Sequence, residues 1–305
     1  MRTMALGNSD LMVPVVAVGC MRLRHLDKPA AERFVAEALD QGANFFDHAD
    51  IYGAGACEER FAEAAHLSPS RRDTVILQSK CGIRPGAYDF SREHILEAVD
   101  GSLKRLGTDY LDVLLLHRPD ALVEPEEVAE AFDRLAARGK VRHFGVSNMK
   151  PMQMELLAQS VHQPLVANQL QLSITNAAMI AQGVNVNTLN AEASDRDGSV
   201  LDYCRLHHIT IQPWSPFQYG FFEGVFLDNP KFPALNEALV RVAADHGVSP
   251  TTIVIAWLLR HPAHMQPVLG TMNRERLRQC CQAAEVTLTR EEWYTVYRAA
   301  GYPLP

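Results

Sequence analysis

The chain has 305 residues, of which 47% are hydrophobic, and a formal net charge of −7. This length and apolar content suit a single large α/β domain over residues 1–305, whereas the acidic balance and the lack of a dense basic run disfavour nucleic-acid binding. No apolar stretch has the length of a transmembrane helix, and the six cysteines lack the spacing of a disulfide framework or a metal site, which predicts a cytoplasmic protein without a metal.

The first predicted elements are a β-hairpin over residues 1–13 and a buried strand over residues 15–19. Asp27 is predicted to cap the following helix, which ends at Gly42. The next strand, residues 43–46, is wholly apolar, as is typical of a strand covered on both faces, and it is followed at once by a carboxylate.

Apolar strands and amphipathic helices then alternate to the C-terminus. The later strands are predicted over residues 74–77, 111–116, 141–146, 165–167, 209–211 and 267–269. Helices are predicted near residues 58–66, 91–107, 125–139, 199–206, 235–245, 250–260, 273–284 and 290–300, and a further helix begins at about residue 152. Residues 171–197 are polar and predict a long loop, and the aromatic, glycine-containing residues 217–232 predict a mobile lid over a bound cofactor.

This alternation predicts the fold class. Eight strands, each followed by a helix, favour a parallel sheet. Eight such units in about 300 residues predict a closed (β/α)8 TIM barrel with an N-terminal β-hairpin. A doubly wound open sheet is the alternative.

Polar and aromatic side chains recur where the predicted strands end. These residues are Asp47, Lys80, His117, Asn148, Gln169, Trp214 and Thr271. In a barrel such ends converge on one mouth, where the chemistry of this fold is normally found. Each residue also has a structural reading, since Lys80 could be a surface lysine and His117 a core histidine, but their common phase predicts an active site.

The residue types suggest proton transfer. A tyrosine with an ordinary pKa of about 10 is a poor acid or base at neutral pH, and a nearby ammonium favours its phenolate. Asp47 would hold Lys80 charged, Lys80 would tune Tyr52, and His117 could hydrogen-bond a substrate oxygen. Such a group can protonate a carbonyl oxygen while a cofactor supplies hydride, because no side chain can supply one.

Several ordered motifs resemble those of the aldo-keto reductases, especially the bacterial members with short C-termini. The resemblance covers essentially the whole chain. The matching segments are residues 46–53, 79–82, 115–119, 139–148, 168–169, 214–216 and 270–271. The resemblance implies a barrel that binds NADPH without a Rossmann fold and reduces a small-molecule carbonyl compound. It also implies a catalytic tetrad of Asp47, Tyr52, Lys80 and His117, with Tyr52 as proton donor.

The resemblance further implies a set of cofactor-binding residues. Ser147, Asn148 and Gln169 would hold the nicotinamide carboxamide, Trp214 would stack on the nicotinamide, and residues 270–279 would hold the adenosine phosphate end. The full set implied is Met21, Ser147, Asn148, Gln169, Trp214, Ser215, Phe217, Gly270, Thr271, Arg276 and Gln279.

Three features depart from the family pattern. Many relatives carry a lysine where this chain has Gly270, and some carry an asparagine where it has Cys280, so the expected preference for NADPH over NADH is weaker. The chain stops at Pro305 without the long tail of mammalian members, which predicts an open substrate pocket. Its expected lining residues are Met21, His48, Tyr88 and Phe90.

Two other functions remain open from the residues alone. Lys80 at a barrel strand end could form a Schiff base with a carbonyl substrate, which would make the protein an aldolase-type lyase. The chain could also be a cofactor-binding regulatory subunit with little turnover, because a fold does not fix a function. The sequence does not specify the oligomeric state.

Overall fold

The computed structural model describes residues 1–305. The strands, numbered in chain order, are β1 (Thr3–Ala5), β2 (Met12–Pro14), β3 (Ala17–Gly19), β4 (Phe45–Asp47), β5 (Ile76–Cys81), β6 (Ile83–Arg84), β7 (Ala87–Tyr88), β8 (Leu111–Leu116), β9 (Val141–Ser147), β10 (Leu165–Gln171), β11 (Thr210–Trp214), β12 (Gln218–Tyr219), β13 (Gly224–Val225) and β14 (Val268–Leu269).

The α-helices are α1 (Lys28–Asp40), α2 (Ala56–Ala65), α3 (Pro69–Arg72), α4 (Arg92–Leu106), α5 (Pro125–Ala137), α6 (Pro151–Leu157), α7 (Ala178–Val184), α8 (Val200–Leu206), α9 (Pro233–His246), α10 (Pro250–Arg260), α11 (Arg274–Gln282) and α12 (Arg290–Ala299). Short 3-10 turns lie at Leu23–His25, Ala191–Ala193 and Ala283–Glu285.

Eight parallel strands form the barrel, in the order β11-β10-β9-β8-β5-β4-β3-β14. The two edge strands approach each other because the amide of Gln266, just before β14, donates to the carbonyl of Ile211 in β11 at 3.0 Å. The hairpin of β1 and β2 precedes the barrel, with Thr3 opposite Pro14. These features confirm the (β/α)8 barrel and its N-terminal hairpin and exclude the doubly wound sheet.

Two apolar layers orient the side chains of the barrel strands. A cluster of ten buried residues fills the lower barrel interior, and its members include Phe45 of β4 and Leu6 and Val13 from the hairpin. Phe46 belongs instead to the larger cluster of 70 buried residues, which contains most of the buried helix residues. Because side chains alternate along a strand, Asp47 returns to the inner face, at the C-terminal mouth.

The structure corrects several sequence-based boundaries. Residues 171–197 are not one long loop, since they contain α7 and a 3-10 turn, and residues 217–232 contain the small hairpin of β12 and β13. Lys80 lies inside β5, and Gln169 inside β10, because polar residues at the barrel mouth continue the strand rather than end it.

No single helix is long and apolar enough to cross a membrane. The pair α9 and α10 reaches the required length and composition only together, across a bend of 89°.

Candidate active site

Lys80 lies at the centre of the barrel mouth and is fully buried. Its Nζ lies 2.8 Å from Oδ2 of Asp47, 2.7 Å from the carbonyl oxygen of His48 and 3.1 Å from the hydroxyl of Tyr52. Burial alone would lower the pKa of Lys80, but the Asp47 carboxylate and the Tyr52 oxygen outweigh it and hold that pKa above its usual value. The side chain is therefore a charged ammonium whose N–H groups all have acceptors.

Tyr52 lies in the short loop after β4, and its side chain faces both Lys80 and His117. Burial raises the pKa of the Tyr52 phenol, and the Lys80 ammonium offsets part of that rise. The net direction differs from the sequence argument, which considered only the ammonium. The phenol thus carries its proton at neutral pH, and the ammonium beside it stabilises the phenolate that proton donation would leave.

His117 follows β8 directly and lies edge-on to the Tyr52 ring, with centroids 6.0 Å apart. Burial, and then the positive charges of Lys80 and Arg118, hold the pKa of His117 well below its usual value. The imidazole is therefore neutral near pH 7. A neutral ring can donate a hydrogen bond to a substrate oxygen without competing with Tyr52 as the acid.

A ladder of buried glutamines supports Asp47 from below. Nε2 of Gln78 and of Gln169 donate to Oδ1 of Asp47, at 2.6 and 3.0 Å, and both also donate to Oε1 of Gln212. Nε2 of Gln212 donates in turn to Oε1 of Gln266 at 2.8 Å, and Gln266 donates to the carbonyl of Pro14 at 2.7 Å.

The two ends of this glutamine ladder fix its direction. A carboxylate and a backbone carbonyl can only accept hydrogen bonds, so the amide N–H groups must face Asp47 at one end and Pro14 at the other. The ladder buries polar groups without leaving them unpaired. Because the N–H groups of Gln169 are engaged, its contact with a nicotinamide carboxamide would have to use Oε1.

Ser147, Asn148 and Trp214 form a second group beside the tetrad residues. The Ser147 hydroxyl donates to the carbonyl of Gln169 at 2.9 Å, and Nδ2 of Asn148 donates to Oγ of Ser147 at 2.7 Å. Nε1 of Trp214 donates to Oδ1 of Asn148 at 3.1 Å. Asn148 has φ +59°, a left-handed conformation that asparagine tolerates. These bonds hold the indole of Trp214 at the mouth.

The hairpin of β12 and β13 covers Trp214 from outside the barrel. The ring of Phe222 stacks on the Trp214 indole at a centroid distance of 5.7 Å and an angle of 24°, and Phe221 meets it edge-on at 6.2 Å. Ser215 is half-buried with φ +54°. Phe217 packs on buried Phe226 at 6.5 Å, so its ring is part of the base of the hairpin.

The segment from Gly270 to Gln279 follows β14 and includes the first part of α11. Asn273 caps α11 by accepting the amide of Arg276 at 3.0 Å, and Thr271 Oγ1 accepts the amide of Asn273 at 3.1 Å. Arg276 is exposed and makes no ion pair, whereas Arg278 is held by Glu37 at 2.7 Å. Gln279 is half-buried at the far end of the segment. The helix arginines are therefore not one uniform solvated face.

Two of the four side chains expected to line the substrate pocket are buried and cannot line it. Met21 is 37% exposed and Tyr88 48% exposed, as a pocket lining requires, but His48 and Phe90 are buried. His48 packs edge-on against Phe61 at 4.7 Å, because it alternates away from the barrel interior after Asp47. Neither ring nitrogen of His48 has a hydrogen-bond partner, and burial lowers its pKa to about 3.

Sequence reasoning missed several polar residues near the site. Glu58 is fully buried and accepts hydrogen bonds from Ser79 and Arg105, each at 2.7 Å. Gln78 and Gln212 interrupt apolar strands, and that interruption is the sequence signal that could have identified them. Arg118 lies 5.7 Å from the centroid of the Trp214 ring. Because it follows His117 directly, the sequence could also have placed it at the barrel mouth.

Comparison with known proteins agrees with this geometry. The model of the Aldo/keto reductase family matches residues 15–300. The chain belongs to the aldo/keto reductase family. It is 36% identical to an uncharacterized oxidoreductase of Bacillus subtilis, YcsN, over 97% of each chain. It is 35% identical to a 6-dehydroglucose reductase of Agrobacterium fabrum, over 87% of this chain and 86% of the relative.

The fold also matches solved structures. A crystal structure of the thermostable aldo-keto reductase Tm1743 superposes with a TM-score of 0.79, covering 98% of this chain and all of the other, at 24% identity. The protein is thus an oxidoreductase of a family that generally uses a nicotinamide cofactor and small-molecule carbonyl substrates.

The residues present suit such a cofactor. The half-buried Trp214 offers a flat surface at the mouth, and Asn148 beside it has amide groups that match a carboxamide. Arg22 and Arg276 carry guanidinium groups with no carboxylate partner where β3, β14 and α11 meet, and such groups match phosphates.

Proposed function

We propose that this aldo/keto reductase reduces aldehydes or ketones to alcohols with NADPH, and that Tyr52 donates the proton. The observation that carries the proposal is the single ammonium of Lys80, which contacts both the Asp47 carboxylate and the Tyr52 hydroxyl at the barrel mouth. The arrangement matches the need of carbonyl reduction, because an acid must be available where negative charge develops on oxygen.

The side chains have complementary roles in this proposal. The bound nicotinamide would supply the hydride. The hydroxyl of Tyr52 gives its proton to the substrate oxygen, and Lys80 stabilises the phenolate that remains. Neutral His117 orients the same oxygen by a hydrogen bond, and Asp47, fixed by the glutamine ladder, keeps Lys80 charged. Ser147, Asn148, Gln169 and Trp214 would hold the nicotinamide.

The remaining residues proposed to bind the cofactor lie around the same barrel mouth. Met21, Ser215 and Phe217 border the mouth near β3 and β11, while Gly270, Thr271, Arg276 and Gln279 lie on the β14–α11 segment. A preference for NADPH over NADH would rest on Arg276, whose guanidinium makes no ion pair and suits a 2′-phosphate.

The geometry disfavours the Schiff-base lyase. A lysine attacks a carbonyl as a neutral amine, but the raised pKa of Lys80 keeps it charged, and its N–H groups are engaged by three oxygens. Borohydride treatment with a carbonyl substrate should therefore leave the protein mass unchanged.

Replacement of Tyr52 by phenylalanine tests the proposed acid. The Tyr52→Phe variant keeps the ring and loses the hydroxyl, so we expect the turnover number for the best aldehyde to fall by about 10²-fold or more. The dissociation constant of NADPH, measured by quenching of protein fluorescence, should change little because the hydroxyl is not expected to contact the phosphates or the carboxamide.

A matched control is Tyr294→Phe, which removes the hydroxyl of a half-buried tyrosine on α12, outside the residues proposed for the site. That variant should turn over at the wild-type rate. Wild-type turnover by Tyr52→Phe would show that Tyr52 is not the acid.

A further inference from the structure

We propose that Arg22, from the loop after β3, binds a phosphate group of the dinucleotide and supplies the positive charge that relatives place at position 270. The proposal rests on the proposed function, because it concerns the same cofactor. It assigns a phosphate-binding role to a residue that lies 248 positions away in the chain from Gly270, where the segment proposed to bind the adenosine end begins.

The position of Arg22 follows from the closure of the barrel. Strand β3 pairs with β14 in parallel, with Val268 opposite Ala17. The loops that follow these two strands are therefore neighbours at the mouth. Nη1 of Arg22 donates to the carbonyl of Gly270 at 2.9 Å, which anchors the guanidinium at the start of the β14–α11 segment.

A side chain at position 270 would displace the end of the Arg22 side chain. A Cβ on Gly270 would lie 2.8 Å from Nη1 of Arg22, closer than real Cβ contacts come. Gly270 does not have a positive φ, so its backbone would accept another residue. The glycine and the arginine therefore behave as a pair, in which the guanidinium occupies the space where a lysine side chain would begin.

The charge of Arg22 has no protein counter-ion. No carboxylate lies within ion-pair distance of it, although the side chain is half-buried and the protein has a net charge of −7. Its hydrogen bond to Gly270 uses one N–H, and the remaining N–H groups donate to no protein atom. Arg278 differs, since it is held by Glu37 and Glu275. A planar guanidinium with free donors suits phosphate oxygens.

Cofactor affinities of Arg22 variants test this assignment. We expect Arg22→Ala to weaken NADPH binding by about ten- to a hundredfold, the scale of a hydrogen bond to a charged group. Arg22→Lys should retain part of the affinity because it keeps the charge. The readout is quenching of protein fluorescence on titration. Arg134→Ala, which removes an ion-paired arginine of α5 outside the proposed cofactor segments, should bind NADPH as the wild type does.

NADH distinguishes which phosphate Arg22 binds. A loss confined to NADPH identifies the 2′-phosphate, and an equal loss for NADPH and NADH identifies the pyrophosphate; either result supports phosphate binding. Unchanged affinity of Arg22→Ala for both dinucleotides would overturn the proposal. The melting temperature of each variant without cofactor shows whether the fold is retained.

A double variant tests directly whether a lysine at position 270 can replace Arg22. In Arg22→Ala the space at position 270 is open, so adding Gly270→Lys should restore much of the lost NADPH affinity. In the wild-type background Gly270→Lys should not strengthen binding, because its Cβ meets Arg22. If the double variant binds no better than Arg22→Ala, the two positions do not serve the same phosphate.

These results separate the inference from the proposed function. If the wild type binds NADPH and reduces carbonyl compounds while Arg22→Ala binds as tightly, only the role of Arg22 is wrong. If the wild type binds neither NADPH nor NADH, the proposed function is wrong and the role of Arg22 is overturned with it.

Discussion

Asp50, three residues beyond Asp47, is a half-buried residue with a buried carboxyl oxygen that the proposed mechanism does not use. Its Oδ1 has no hydrogen-bond partner. Burial, with the nearby negative charge of Glu58, raises the pKa of Asp50 from 3.8 to about 7. The folded state therefore binds the proton of Asp50 more tightly than the unfolded chain does. The stability that this proton contributes is fully present below about pH 4 and is lost as the pH rises through 7.

This sign gives a prediction for Asp50→Asn, which mimics the protonated carboxyl. The free energy of unfolding of the variant, relative to the wild type, should rise from pH 5 to about pH 7 and level off above it. The comparison between the two proteins is needed because buried His48 and His117, whose pKa values are lowered, change stability in the opposite direction below about pH 6.5. Urea unfolding at four pH values measures it, and a constant offset would contradict the assignment.

At the level of single residues, the sequence predicted which polar residues come together at the barrel mouth, because the strand ends repeat once in each βα unit. Asp47, Lys80 and His117 were readable in this way. The glutamine ladder was not, because Gln78, Gln212 and Gln266 are far apart in the chain and their pairing depends on barrel closure. Nor could the sequence show that Arg22 reaches Gly270, since that contact joins the first and last barrel strands.

At the level of elements, long periodic helices and apolar strands were predicted well because their patterns are local. Helix α10 was placed with the bounds that the structure shows, Pro250–Arg260, since Ser249 and Pro250 mark its start. Short elements such as β6, β7 and α3 were missed, because two to four residues carry no periodic signal. The helix α7 was missed because its segment is polar around a short apolar core.

The β12–β13 hairpin is the element most suited to respond to cofactor. Phe221 and Phe222 at its tip are 64% and 49% exposed, although Phe222 stacks on Trp214. Phe222 and Gly220 have φ values of +61° and +57°. The turn is therefore tight, and the backbone of Phe222 is strained because a residue with a side chain rarely adopts a positive φ. A nicotinamide on Trp214 would contact the same aromatic group.

We therefore expect saturating NADPH to slow hydrogen exchange across residues 217–232, because contact with bound cofactor orders the tip of the hairpin. Helix α12, on the outer layer of the barrel, provides an internal reference that should not change. Phe222→Ala should reduce the protection because it removes the stacking partner of Trp214. Unchanged exchange in the hairpin at saturating cofactor would refute the lid.

At the scale of the whole molecule, a cofactor that spans the mouth would join strands on the two sides of the β11–β14 junction. The proposed nicotinamide contacts lie on β9, β10 and β11, and the proposed phosphate contacts lie beyond β3 and β14. At the junction between them, β11 and β14 are the two ends of the strand order, and the amide of Gln266 bridges them by donating to the carbonyl of Ile211. Binding across this junction stabilises the folded state by mass action alone.

We expect NADPH at about a hundred times its dissociation constant to raise the melting temperature by about 4 °C, from a binding contribution of about 2.7 kcal/mol and the unfolding entropy typical of a chain this long. NADH at the same concentration should raise it less, because it lacks the 2′-phosphate that Arg276 is proposed to bind. In Arg276→Ala the two cofactors should give similar shifts, while Arg290→Ala, at the start of α12, should keep the wild-type difference. Equal shifts by NADPH and NADH in the wild type would show that the protein does not discriminate between them and that Arg276 does not read the 2′-phosphate.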